Sequence, residues 1–177
     1  MKIEISVIDT NVLIVANDAA ISPRQSRRSG HASDECVLAA VDALVRVRNT
    51  GRVGLDQLGL VLQEYANARM SYSGQPGVGD AFFKWLHQNQ ANPEVCATAD
   101  VQYDPQTEEF CEFPQDPELA GFDRSDRKFV AICVKLGPQR TQIMNCVDSD
   151  WWNFRQALQA HKIQIEFLCP EQFGQEL

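Results

Sequence analysis

Several things are missing from this 177-residue chain, and each absence removes a class of function. No apolar run approaches the ~20 residues a membrane-spanning helix needs. Glu4 and Asp9 interrupt the apolar segment a signal peptide would require, so a cytoplasmic protein with no membrane partner is expected. No two of the six cysteines stand in a C-x-x-C spacing, which disfavours zinc ribbons and thioredoxin-like sites. Most of those cysteines are expected as buried, reduced thiols acting as small hydrophobes. No G-x-G-x-x-G or G-x-x-x-x-G-K-[ST] loop occurs, so the common nucleotide-binding folds are disfavoured. Histidine is scarce, and His31, His87 and His161 form no local cluster. Positive charge is short: sixteen Lys and Arg face twenty-four Asp and Glu, a net charge of −8. A generally basic nucleic-acid-binding surface is therefore disfavoured.

What is present is an ordinary globular composition, 44% hydrophobic and 23% charged. The length suits one domain over residues 1–177. Strand and helix patterns alternate. Ile3 to Ile8 reads as a strand ending at Asp9-Thr10-Asn11, before the short apolar stretch Val12 to Ala16. Residues 18–32 read as a flexible loop carrying Arg24, Arg27 and Arg28. Ser33 caps a helix that Gly51 ends. Val53 to Leu55 is a short strand, and Asp56 caps a helix carrying Glu64. A third helix holds Phe82, Phe83, Trp85 and Leu86. Glu94 to Tyr103 and Phe110 to Phe113 read as two strands around a turn at Asp104 to Thr107. A helix starts at Ser125 or Asp126 and ends at Gly137. Gln142 to Val147 is a strand, Trp151 to His161 a helix, and Ile163 to Leu168 a last strand. Strands separated by helices imply βαβ units and a mostly parallel sheet with helices on both faces.

In such sheets ligands bind beyond the carboxyl ends of the strands. Acidic residues gather there. Asp9 ends the first strand, and Asp148-Ser149-Asp150 follows the strand at Gln142. Asp126 heads a helix whose Phe129, Val130 and Cys133 lie on one apolar face, where a carboxylate is costly without compensation. Glu64 sits on the shoulder of its helix's apolar face. Singly, each acid has a capping or surface explanation. Together, carboxylates aimed at one rim would repel one another, and hard divalent cations bind oxygen ligands of this kind.

The order V-I-D-T-N at Val7 to Asn11, Glu64 in Q-E-Y-A-N-A-R, Asp126 with Ala131 in D-R-K-F-V-A, and D-S-D at Asp148 to Asp150 resembles the PIN-domain nucleases. The resemblance runs from Ile3 to Leu168. It implies a three-layer α/β/α PIN-like fold and Mg²⁺- or Mn²⁺-dependent phosphodiester hydrolysis, most often of RNA. It implies Asp9, Glu64, Asp126 and Asp150 as catalytic metal ligands, with Asp148 and Asp123 as further ligands. Thr10 and Asn11 would orient Asp9 or a phosphate. Arg24, Arg27, Arg28, Arg127 and Lys128 are candidate phosphate contacts, and Tyr72 or Trp151 could stack on a base. Partners implied are single-stranded or structured RNA, a second copy of the chain and, if the enzyme is the toxin of a toxin–antitoxin pair, an antitoxin protein. The chain departs from the family pattern at Asp148, where many members carry Thr or Ser, and in residues 92–122, read as an insertion. Two alternatives are a noncatalytic PIN-like protein-binding module and a structure-specific DNA nuclease.

Overall fold

The computed structural model describes residues 3–20, 32–68 and 76–174. Arg24, Arg27, Arg28, His31 and Tyr72 lie outside the described residues. In chain order the elements are β1 (Ile5–Ile8), α1 (Thr10–Asn17), α2 (Asp34–Thr50), β2 (Arg52–Asp56), α3 (Leu60–Asn67), α4 (Val78–Asn89), β3 (Cys96–Ala99), β4 (Tyr103–Asp104), β5 (Glu109–Phe110), α5 (Arg127–Leu136), β6 (Thr141–Asn145), α6 (Ser149–Asn153), α7 (Arg155–Ala160) and β7 (Ile165–Phe167). Short 3₁₀ turns precede α5 and follow α1 and β7.

Five strands form one sheet in the order β3-β2-β1-β6-β7, and every neighbouring pair is parallel. The central strand β1 is buried along its whole length, as a parallel strand covered on both faces must be. Parallel neighbours need crossover connections, and the helices between the strands supply them and flank the sheet. Accordingly α1 packs against α2 and α4, while α5 packs on β1, β2, β3 and β6. The result is a three-layer α/β/α architecture.

Two glycines set the placement of the helices that matter below. A Cβ on Gly54 in β2 would sit 2.8 Å from Val7 Cγ2 and 3.2 Å from Ile132 Cγ2, so glycine lets α5 settle onto the sheet. Gly59 adopts φ +76°, a left-handed conformation that turns the chain into α3. The opening of α3 is then capped from a distance. Asp56 Oδ1 accepts from Leu60 N at 2.8 Å and Oδ2 from Val61 N at 2.9 Å.

The structure departs from the sequence expectations at several points. The segment 92–122 contains β3, the edge strand of the main sheet. Of the two strands expected there, the first contributes Cys96–Ala99 to that sheet, and β4 and β5 form a separate antiparallel hairpin. The single helix expected over Trp151 to His161 is two, α6 and α7. They part at Phe154, whose ring packs edge-on against Phe122. Leu38 and Val45, apolar residues of α2, are exposed. The cysteines are not all reduced either. Cys36 and Cys169 form a disulfide across 133 residues of sequence, a pairing that no local spacing betrays. Cys96, Cys133 and Cys146 are buried free thiols and Cys111 is an exposed one.

Candidate functional site

The strand order reverses direction between β1 and β6. The chain leaves β1 toward β2 on one side and leaves β6 toward β7 on the other. Crossovers on opposite faces open a crevice at the carboxyl ends of these two central strands. Asp9 directly follows β1, and its N–H continues the ladder to Met144 O. Asp148 lies three residues past β6. Asp126 enters from the 3₁₀ turn (Arg124–Asp126) ahead of α5. One carboxylate oxygen from each of Asp9, Asp126 and Asp148 lies within 4.8 Å of the others.

Each of the three is held differently. Asp9 caps α1: Oδ1 accepts from Asn11 N at 2.9 Å, and Oδ2 accepts from the indole N–H of Trp151. Asp148 caps α6 by accepting from Asp150 N at 2.9 Å. Asp126 occupies the cap position of α5, yet its side chain makes no capping bond. Its carboxylate faces the other two instead.

Asparagines tie the two strand ends together. The Asn11 amide nitrogen donates to Asn145 Oδ1 at 2.7 Å, and Asn11 Oδ1 accepts from Cys146 N at 2.8 Å. Asn145 in turn donates to Asp148 O and accepts from Asp148 N. Asn145 is fully buried, so every polar atom it brings into the core needs such a partner. This lattice fixes the separation of Asp9 and Asp148 across the crevice.

The charges crowd. Burial raises the Asp9 carboxyl from 3.8 to about 7; bonds from Asn11 and Trp151 oppose the rise, and the charges of Asp148 and Glu64 add to it. Burial likewise raises Asp126 to about 8, helped by Asp9 and Asp148 and opposed by Lys128. Asp148 is raised too, mainly by burial and then by Asp150 and Asp123, with the Asp150 N–H opposing. Burial is the largest cause at each of the three, and the nearby like charges add to it.

The remaining sequence candidates occupy different places. Glu64 stands beside the trio: one oxygen accepts from the Thr10 hydroxyl and the other pairs with the Lys128 ammonium. Lys128 is buried, also donates to Ser125 O, and lies over the Phe129 ring. Asp150 is half-buried beside Asp148 and outside the group of three. Asp123 is exposed and caps its own turn through Ser125 N. Arg127 differs most from its expected role as a phosphate contact. It is buried and turned inward, pairing with Glu109 and donating to Phe122 O and Ala120 O, with its guanidinium over Phe113. Its neighbour in sequence, Lys128, meets a different partner, Glu64, because successive helix positions are rotated by about 100°.

Three contributions escaped the sequence reading. Asn145 carried no signal beyond a polar residue at a strand end. Trp151 was offered as a stacking surface for a base, but it is a core residue with 0% exposure, and its indole N–H holds Asp9. The pairing of Lys128 with Glu64 joins α5 to α3, a contact between helices far apart in sequence.

Comparison of the chain with protein-family models, with curated proteins and with solved structures finds no match. Among the described residues no helix is long and apolar enough to cross a membrane.

Proposed function

We propose that this chain is a metal-dependent phosphodiesterase of the PIN-domain type that cuts RNA. The observation that carries the reading is the meeting of Asp9, Asp126 and Asp148 at the topological switch point between β1 and β6. The donors suit a hard divalent cation, Mg²⁺ or Mn²⁺. All are carboxylate oxygens, they come from separate segments, and Asp126 spends nothing on a cap. The hydrogen bonds Asp9 accepts leave each of its oxygens a further lone pair. Asp9, Asp126 and Asp148 would hold the cation, with Glu64, Asp150 and Asp123 at its periphery. When bound, such an ion supplies Lewis acidity, activating water near neutral pH and offsetting charge on a phosphodiester.

The chain's own residues do the positioning. Trp151 and Asn11 fix both oxygens of Asp9. Asn145 holds the start of the Asp148 loop. Thr10 and Lys128 hold Glu64 at the edge of the crevice, and the Lys128 ammonium is the one cation buried against this rim among the described residues. It would face an incoming phosphate. RNA rather than DNA as the substrate, and a toxin's antitoxin or a second copy as the partner, follow from the motif resemblance alone.

A second reading, a noncatalytic binding module of the same fold, is favoured by the Lys128–Glu64 pair, which already neutralises one acid of the set. The test is incubation with end-labelled single-stranded RNA and DNA in Mg²⁺, Mn²⁺ or EDTA, beside Asp126→Asn. Metal-dependent cleavage that disappears in the variant supports the nuclease, and the preferred strand identifies the substrate. Absence of both cleavage and metal binding in folded protein moves the assignment to the binding module.

A further inference from the structure

A second cluster of ligating side chains lies outside the acidic site. Cys36 comes from the first turn of α2, Cys146 directly follows β6, and Cys169 follows β7. Their Sγ atoms all lie within 4.8 Å of one another, and none of the three residues is more than 1% exposed. Cys36 and Cys169 are joined, with Cα atoms 5.2 Å apart, while Cys146 is a free thiol. A buried cysteine acting as a small hydrophobe accounts for Cys96 and Cys133, which pack singly. It does not account for three sulfurs converging from segments separated by 110 and 23 residues of sequence. Nor does the disulfide, which uses only two of them.

We propose that, once the disulfide is reduced, Cys36, Cys146 and Cys169 form a buried three-thiolate site for a thiophilic d¹⁰ cation, Zn²⁺ or Cu⁺. The disulfide is then the closed, metal-free form of the same site. A dithiol reductant delivers two electrons and two protons to the Cys36–Cys169 bond and leaves as its own cyclic disulfide. Two thiols result. The cation then displaces one proton from each of the three thiols into solvent as three metal–sulfur bonds form. Zinc–sulfur bonds of about 2.3 Å in a tetrahedral site put sulfurs roughly 3.8 Å apart. Sulfurs already this close reach such spacing by side-chain rotation, with the bonded pair moving apart. Soft thiolates select these cations over Mg²⁺ or Mn²⁺, so the site does not compete with the carboxylates for their ion. Among the described residues no carboxylate or imidazole joins the three sulfurs. Zn²⁺ therefore needs a water as fourth ligand, whereas Cu⁺ is satisfied by three thiolates.

The test uses the full chain, reduced without oxygen by a phosphine and freed of it, then titrated with Zn²⁺ or Cu⁺ against a chromophoric chelator. Native mass spectrometry counts the bound ions. With excess Mg²⁺ present to occupy the carboxylates, the expected result is one more chelator-resistant equivalent in the reduced protein than in the oxidised one. Cys146→Ala should weaken binding more than about ten-fold, and Cys111→Ser, at the exposed thiol, should leave it unchanged. Retention of Zn²⁺ alone or of Cu⁺ alone identifies which ion the site takes. No retained ion, equal retention by Cys146→Ala, or loss of binding in Cys111→Ser overturns the proposal. So does a reduced chain that loses its helical circular dichroism and regains it with neither ion.

Discussion

Two triads of ligating groups flank the exit of β6: three buried sulfurs, and three carboxylates of which Asp9 and Asp126 are buried and Asp148 half-buried. Asp148 lies three residues beyond Asn145 and Cys146 only one. The same Asn11 amide touches both sides, donating to Asn145 and accepting from Cys146 N. Yet the triads solve the problem of burial in opposite ways. The sulfurs close on themselves through a bond between Cys36 and Cys169 and leave no net charge. The carboxylates cannot do so, and burial pushes them toward protonation. A buried cluster of like charges costs stability unless something offsets it, whereas a cluster that closes on itself stabilises the fold without help.

The comparison breaks first at Asp126, the acid that makes no capping bond. Asp126→Asn should lower metal-dependent cleavage on the order of 100-fold or more, since even outer partners of metal ligands cost 10–100-fold. The same change should raise the melting temperature of the metal-free protein at pH 8, because it removes a repelled charge. A gel assay and a thermal melt on one preparation check both.

Asn11→Ala is the next largest, because it cuts the tie between the triads. It leaves Cys146 N and Asn145 Oδ1 without this partner, at a cost of about 1–3 kcal/mol. Chemical denaturation should show that loss, and both metal affinities should fall together. A loss confined to one triad would show that they are uncoupled. Trp151→Phe is a narrower cut. It keeps much of the ring packing and removes the N–H donated to Asp9, so cleavage should drop about 10-fold to 100-fold with KM little changed.

The pH dependence separates the triads without mutation. Asp9 and Asp126 carry folded values of about 7 and about 8 against 3.8 for the free groups. Between those limits the native state holds more protons than the unfolded chain. Stability of the metal-free protein should therefore fall as pH rises from about 4 to about 8, then level off. Melting curves in EDTA across that range check the slope, and saturating Mn²⁺ should flatten it. The disulfide contributes nothing to this slope.

The acids were legible in the sequence because strand ends and helix starts are local features. Asp9 after V-I, Asp126 ahead of an apolar stripe and Glu64 on a helix shoulder can be seen without knowing the fold. The parallel sheet followed from strands alternating with helices. The exact partners were less legible. Asp148 and Asp150 leave the same strand two residues apart, and which of them turns into the crevice depends on which one caps α6. Arg127 and Lys128 are adjacent and both basic, yet one is buried against Glu109 and the other against Glu64. The cysteine cluster was hidden because its members lie 110 and 23 residues apart, and such convergence is a property of the packed sheet. The short strand β3 was blurred into a longer one because Glu94 to Tyr103 has no breaker between the parallel edge and the hairpin.

The smallest expected effect belongs to Asp150, outside the oxygen triad, and it sets up the most direct measurement. Calorimetric titration of Mn²⁺ into reduced, metal-free wild type, Asp148→Asn and Asp150→Asn at pH 8 compares the two acids at one strand exit. A wild-type site weakened more than about ten-fold by Asp148→Asn and only a few-fold by Asp150→Asn is the predicted result. Equal binding by all three proteins, or no Mn²⁺ binding by folded wild type, contradicts the assignment of the oxygen triad as a metal site.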